Sequence, residues 1–476
     1  MKAPHLGASG VGVYTTSRKL AKESSTVMES SSNGDLRGAV QEIHDYIRDN
    51  LYLNRPDMTL RGRSYNSALL LSLMTGLRRG KALIIGEPGL GKTTSAEYVC
   101  SLLYRFPLGT IWGSEVAGHP EQTEEKIIGR PDLGKLNLGE EVVVWSHFAM
   151  LPVKIVDEIN RLPETKQSMI LDGVDRGNWE YLNDAIINRE YCLFATANYQ
   201  DRGTNTIIAP LVDRFDLMVE SKHPGANLAY VIGTRGPSSS SLRDEELEAE
   251  FQRILSERIP YETRMEKVEK LCDRFGRVLM ENARIQTLSR SQRESIRSQM
   301  DEIPFDLDAN AFLRMVISEL SFCHRFGQKR SHETCEEGCH FTGYVCNGIR
   351  NCISNRFPIS VRNMSQALAW FVGDHSVGIE HLKAVLPYTL AHRLQWKEEL
   401  LAQREKEPRN DPLPIHMAKQ CVREMHRRYM EQGSQVKNAL AVACRVAEGA
   451  KLDTIQGDHP IFWEIRRDLG EEVLEP

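Results

Sequence analysis

The string Gly86-Glu87-Pro88-Gly89-Leu90-Gly91-Lys92-Thr93, continued by Thr94, fits the spacing G-x-x-x-x-G-K-[ST] without a mismatch. Glycines at these positions let backbone N–H groups turn inward around an anion. A helix opening at the lysine aims its positive end at the same point. On this reading Lys92 reaches the terminal phosphates of a nucleotide and the Thr93 hydroxyl ligates Mg2+. The cofactors expected are therefore ATP and Mg2+.

Further along, Asp157 and Glu158 follow the apolar run Val153 to Val156. Two carboxylates at the end of a buried strand are costly unless a cation or a reacting group uses them. Asp157 is expected to hold Mg2+ through its water shell, and Glu158 to polarise an attacking water. Lys154, inside the same run, reads as an edge or snorkelling position. Leu193-Phe194-Ala195-Thr196-Ala197 ends in Asn198, which either orients that water from the side or simply closes a strand. Arg214, in Pro210-Leu211-Val212-Asp213-Arg214-Phe215-Asp216, either stabilises charge on a transferred phosphoryl group or pairs on the surface with Asp213 or Asp216.

These groups converge only if the chain builds a particular scaffold. Strand-sized apolar runs (Ala82 to Ile85, Thr110 to Trp112, Val153 to Val156, Cys192 to Ala195, Leu217 to Val219) alternate with helix-sized amphipathic stretches such as Thr94 to Tyr104. That pattern predicts an α/β fold, a parallel sheet covered by helices. Strand C-termini of such a sheet gather at one edge, where ligands bind. Residues 1–35, rich in Ser and Gly, read as a flexible tail, and 36–235 as the α/β core. Residues 236–395, beyond the Gly-Pro-Ser linker, read as helical, and 396–476 as a C-terminal helical region after a charged linker from Lys397 to Pro414.

Composition narrows the function. With 41% apolar and 26% charged residues, the chain is neither fibrous nor wholly disordered. A formal net charge of -5 argues against a general polyanion binder. No apolar run approaches the ~18 residues of a membrane-spanning helix, so no membrane insertion is expected and a cytoplasmic location is. Five of the ten cysteines (Cys323, Cys335, Cys339, Cys346, Cys352) cluster with His324, His332 and His340. The set Cys323, Cys335, Cys339 and Cys346 is expected to hold a structural Zn2+, with His332 or Cys352 as substitutes. An iron–sulfur cluster and unligated thiols are the alternatives.

The ordered set of Gly86 to Thr93, Ile155 to Arg161, Phe194 to Asn198 and Leu211 to Asp216 resembles the AAA+ ATPases. The stretch Asp157-Glu158-Ile159-Asn160-Arg161, with Pro163 and Gln167-Ser168-Met169, is similar to the MoxR-type branch, a sister of magnesium chelatase, the minichromosome-maintenance helicases and dynein. Ser360-Val361-Arg362 and Val377 to Leu382 look like that family's helical lid. The resemblance implies that Asn198 is the first sensor, that Arg214 is an arginine finger serving a neighbouring subunit's ATP, and that Arg362 is the second sensor. It also implies an insertion over Glu125 to Trp145 and a hairpin over Asp175 to Glu190. The helical insertion after Arg235 and the Cys-rich loop depart from the short members.

What the resemblance implies for function is ATP hydrolysis that remodels, matures or assembles a client protein. The expected partners are further copies of the chain in a homo-hexameric ring, the client, and a protein with a von Willebrand factor A domain. The alternative is a nucleic-acid motor like the helicase sisters. Helicase hairpins carry basic tips, whereas Leu182-Asn183-Asp184-Ala185 offers none, so nucleic acid is not expected.

Overall fold

The computed structural model describes residues 33–188, 190–199, 207–235, 238–321, 343–447, 455 and 457–470. The expected tail lies almost wholly outside them. The chain divides into two compact units at Met300–Asp301, after helices that the sequence places beyond the linker at 235–241.

The first unit is built on five strands: β1 (Lys81–Ile85), β2 (Val116–Ala117), β3 (Val153–Asp157), β4 (Cys192–Ala197) and β5 (Leu217–Glu220). Their order across the sheet is β5-β1-β4-β3-β2, and every pairing is parallel. Parallel strands are covered on both faces, which is why Ala82-Leu83-Ile84-Ile85 and Cys192-Leu193-Phe194-Ala195 are continuously apolar and buried. Ser67–Arg78, in which all residues but the last are buried, and Lys92–Tyr104 supply cover. Because the strands are parallel, Ile85, Ala117, Asp157, Ala197 and Glu220 all end at one edge.

Thr110 to Trp112 is not a strand. It lies in the helix Leu108–Ser114, and the strand at that point is the two-residue β2. A three-residue apolar run carries too little periodicity to separate the two states. Two antiparallel excursions leave the sheet. Gly129–Pro131 pairs with Val143–Trp145, and Asn178–Tyr181 pairs with Asp184–Ile187.

Lys154 is neither at an edge nor snorkelling. β3 lies between β4 and β2, and the side chain is 0% exposed. Its Nζ donates to the carbonyls of Phe148, Ala149 and Leu151 at 2.5, 3.1 and 3.2 Å, the open end of the helix His147–Met150. The rings of Trp179, Phe148 and Tyr191 surround it at 4.8, 5.1 and 5.3 Å. Among the described residues no carboxylate supplies a counter-charge, and burial pulls its pKa down to about 7.

The second unit is helical. Its main helices are Leu307–Ser321, Arg356–Val372, Ile379–Leu390, Leu413–Ala447 and Pro460–Asp468. Within the expected linker from Lys397 to Pro414, Glu398–Glu405 is a helix. Phe312 and Tyr429 pack ring to ring at 5.4 Å. Beside them Glu319, 1% exposed, accepts from Arg428 Nη2 and from the Val345 N–H, each at 2.7 Å. Burial pushes its carboxyl up, but His459 first, then the charge of Arg428 and the Val345 N–H, bring it below the usual range.

Candidate functional site

β1 runs straight into the glycine-rich loop, and the helix Lys92–Tyr104 begins at its end. Gly91, at φ 74°, is the residue before the helix, a left-handed conformation that glycine adopts without a Cβ penalty. Gly86 is required for a second reason: a Cβ there would stand 2.6 Å from the Ser221 carbonyl oxygen. Lys92 lies back along the loop. Its Nζ donates to Gly86 O (3.0 Å), Glu87 O (2.9 Å) and Asn198 Oδ1 (2.7 Å). Desolvation lowers its pKa, opposed by the charges of Asp157, Glu158 and Glu87.

At the end of β3, Asp157 Oδ1 accepts from Thr93 Oγ1 at 2.5 Å and from Thr196 Oγ1 at 2.7 Å. Thr93 and Asp157 thus meet at the mouth of the phosphate loop as hard oxygen donors, the chemistry that suits Mg2+. Glu158 is left-handed at φ 52° although it is not glycine, a conformation that costs about 1 kcal/mol or more. Its N–H donates to Thr196 Oγ1 at 2.8 Å. Its Oε1 accepts from Asn198 Nδ2 at 2.5 Å, and its Oε2 pairs with Arg161 at 2.9 Å. Lys92, Asn198 and Glu158 therefore form one line, with Asn198 as the middle member. The structure brings together Lys92, Thr93, Asp157, Glu158 and Asn198.

Arg214 stands apart from that line. Nε and Nη2 meet the two oxygens of Asp175 at 2.9 and 3.0 Å, and Nη1 donates to Pro210 O at 2.7 Å. The partner is Asp175, at the end of the helix Glu164–Arg176, and not Asp213 or Asp216. Arg362 lies in the second unit, exposed on the helix Arg356–Val372. There it lines a cavity of about 530 Å3 with Arg314, Gln366 and Glu464. Of the expected zinc ligands, Cys323, Cys335 and Cys339 lie outside the described residues. Cys346 is buried in the short helix Val345–Gly348. Among the described residues no group of three or more His, Cys, Asp or Glu side chains is placed to hold a metal ion.

Thr196 was not singled out from the sequence, yet it touches both Asp157 and Glu158. Its signal was present, as the sole polar residue of β4. Glu97 and Glu115 were also missed. Glu97, one turn beyond Thr93, shares a hydrogen bond with Glu115 at the start of β2. Burial first, then the neighbouring Glu97 and Asp157, push the Glu115 carboxyl up to about 9. Nothing local in the sequence pairs these two.

An AAA lid domain model matches residues 348–414. Among curated proteins, none matches the chain. A crystal structure from Cytophaga hutchinsonii, described only provisionally as an ATPase, is similar over 83% of this chain and 95% of its own, at 19% identity and a TM-score of 0.52. At that identity the likeness speaks for the fold. Parallel sheet, phosphate loop and helical lid make this an α/β AAA+ fold.

Proposed function

We propose that the chain is a MoxR-like AAA+ ATPase that hydrolyses ATP with Mg2+ to remodel, mature or assemble a client protein. The observation that carries this reading is the line from Lys92 through Asn198 to Glu158, beside the Thr93–Asp157 pair. Lys92 is placed to exchange its carbonyl partners for β- and γ-phosphate oxygens. Thr93 and Asp157 would hold Mg2+, which neutralises charge developing on the phosphoryl oxygens. Glu158 takes the proton of the attacking water, and the Asn198 amide fixes where that carboxylate points.

Arg214 acts as a finger on the ATP of a neighbouring subunit in a homo-hexameric ring, with Arg362 as the second sensor. The proposed division is a core over 36–235, a lid with insertions over 236–395 and a C-terminal helical region over 396–476. A structural zinc in the Cys-rich loop, a von Willebrand factor A-domain partner and a cytoplasmic location complete the reading. Among the described residues no helix is long and apolar enough to cross a membrane.

A protein client is favoured over nucleic acid by the two antiparallel excursions. Their tips expose Leu133, Leu136, Leu138 and Leu182 and are joined by Asn183 Nδ2 donating to Glu141 at 2.5 Å. Lys135 at the tip is paired with Glu140 at 2.6 Å, which leaves Glu141, Glu180 and Asp184 to make the surface acidic on balance, and such a surface disfavours a phosphate backbone. Capture from native cells with Glu158→Gln tests the assignment. ATP-dependent retention of a protein, absent with Lys92→Ala, supports it; nuclease-sensitive retention of nucleic acid would favour the motor.

A further inference from the structure

Behind the phosphate loop lies a chain of hydroxyl groups. Tyr52 Oη is 2.6 Å from Ser221 Oγ, and Ser221 Oγ is 2.7 Å from Leu90 O, inside the loop. Asn54 Nδ2 is 3.2 Å from Tyr52 Oη and 2.9 Å from Lys222 O. Tyr52 is 6% exposed and Ser221 0%. The Tyr52 ring lies against Gly91, 3.4 Å from where a Cβ would stand. The Ser221 N–H closes the arrangement by donating to Ile85 O at 2.9 Å.

The directions of these bonds follow from chemistry. A carbonyl oxygen only accepts, so Ser221 must spend its single proton on Leu90 O. Ser221 Oγ then accepts, and the phenol proton of Tyr52 is the donor. Tyr52 Oη in turn accepts from the Asn54 amide. The relay therefore runs one way, Asn54 to Tyr52 to Ser221 to Leu90 O. Burial raises the Tyr52 pKa, so the phenol keeps its proton at neutral pH.

The relay acts on one peptide plane. In a trans peptide the C=O of one residue and the N–H of the next point to opposite sides, and this chain has no cis peptide among its described residues. Holding Leu90 O toward Ser221 thus turns the Gly91 N–H away from Ser221. Gly91, at φ 74° and without a side chain, would otherwise let that plane swing.

We propose that Tyr52 and Ser221 are positioning residues for the phosphate loop. By fixing Leu90 O, they hold the Gly91 N–H aimed at the phosphate chain of the bound nucleotide. They touch no reacting atom and act only through the loop. The proposal rests on the nucleotide-binding reading and deepens it. An anion bound by preset N–H groups binds tighter than one that must order them first.

The test uses the full-length chain, with ATP and inorganic pyrophosphate as titrants. Pyrophosphate engages the loop without a base or sugar, so a defect shared by both localises to the loop. Tyr52→Phe keeps the ring against Gly91 and removes the hydroxyl that donates to Ser221 and accepts from Asn54; Ser221→Ala removes the next hydroxyl of the relay. Each variant should weaken ATP and pyrophosphate by a similar factor, roughly ten-fold, the scale of one lost buried hydrogen bond. KM for ATP should rise by that factor while kcat stays within about two-fold, since the chemical groups are untouched. Ser221→Thr, which restores the hydroxyl, should recover both affinities, whereas a merely structural role would follow the melting temperature instead. Wild-type affinity for both ligands in either variant, with the fold intact, overturns the relay alone. A wild-type chain that binds neither ligand overturns the nucleotide reading and the relay with it.

Discussion

Lys92 Nζ stands 2.7 Å from Asn198 Oδ1, and the other end of the same amide, Nδ2, stands 2.5 Å from Glu158 Oε1. The amide can take only this orientation, because an ammonium only donates and a carboxylate only accepts. Asn198 therefore links Lys92 and Glu158, the proposed phosphate-binding cation and the proposed base. Asn198→Ala should lower kcat on the order of 10²-fold, the scale of a lost positioned polar group, and leave ATP affinity within a few-fold. Asn198→Asp, which cannot donate to Glu158, should do no better. Steady-state hydrolysis with calorimetric titration checks both, and a large loss of affinity with unchanged kcat would assign Asn198 to binding instead.

The Arg214–Asp175 pair bears on the proposed ring. Its side chains are 18% and 36% exposed, so separating them costs on the order of 1–2 kcal/mol, the two-pronged geometry placing it above an ordinary surface pair. A finger contributes on the order of 10³-fold in rate, about 4 kcal/mol. The internal pair therefore does not prevent Arg214 from turning to a neighbour's ATP. Arg214→Ala should be nearly inactive, and mixing it with inactive Glu158→Gln should restore partial activity at interfaces holding one intact copy of each residue. A mixture that stays inactive despite proven co-assembly would remove the finger.

Much of this site was legible because its local signals are strong. The loop from Gly86 to Thr93 and the acidic pair at Asp157 and Glu158 are fixed by spacing and by neighbouring apolar runs, and parallel pairing then brings their strand ends together. What failed was whatever depends on distant partners. Thr110 to Trp112 has strand-like residue types but is helical, since three residues are too few to show either period. Lys154 looked misplaced because no local pattern reveals a cage formed by Phe148, Trp179 and Tyr191 over a helix end. Asp175, the partner of Arg214, competes in sequence with two nearer aspartates, and only the hairpin's root brings it across.

Lys154 makes a pH signature. Its pKa falls from 10.5 to about 7 on folding, so between those values the unfolded chain holds more protons and this residue makes stability rise with pH. The melting-temperature difference between Lys154→Met and wild type should therefore shift in favour of the variant as pH falls from 10 to 6. A difference that stays flat across that range would show that burial does not perturb the lysine.

Glu115 works in the opposite sense. Its pKa rises from 4.5 to about 9 on folding, so the folded chain retains a proton that the unfolded chain releases. Its contribution is fully present below pH 4.5 and is lost as pH climbs to 9. Glu115→Gln, which mimics the protonated carboxyl, should flatten the decline of stability over that interval in urea unfolding. An unchanged slope would place the shared proton elsewhere.

Lys92 is proposed to hold the nucleotide and Glu158 to drive its hydrolysis. Phosphate release from ATP at saturating Mg2+, measured beside ATP binding on the same preparations, tests it most directly. Wild type should bind and turn over. Glu158→Gln should bind with near-wild-type affinity and turn over at least about 10²-fold more slowly, and Lys92→Ala should lose most of its affinity. Glu158→Gln releasing phosphate at the wild-type rate while fully bound would show that Glu158 is not the base.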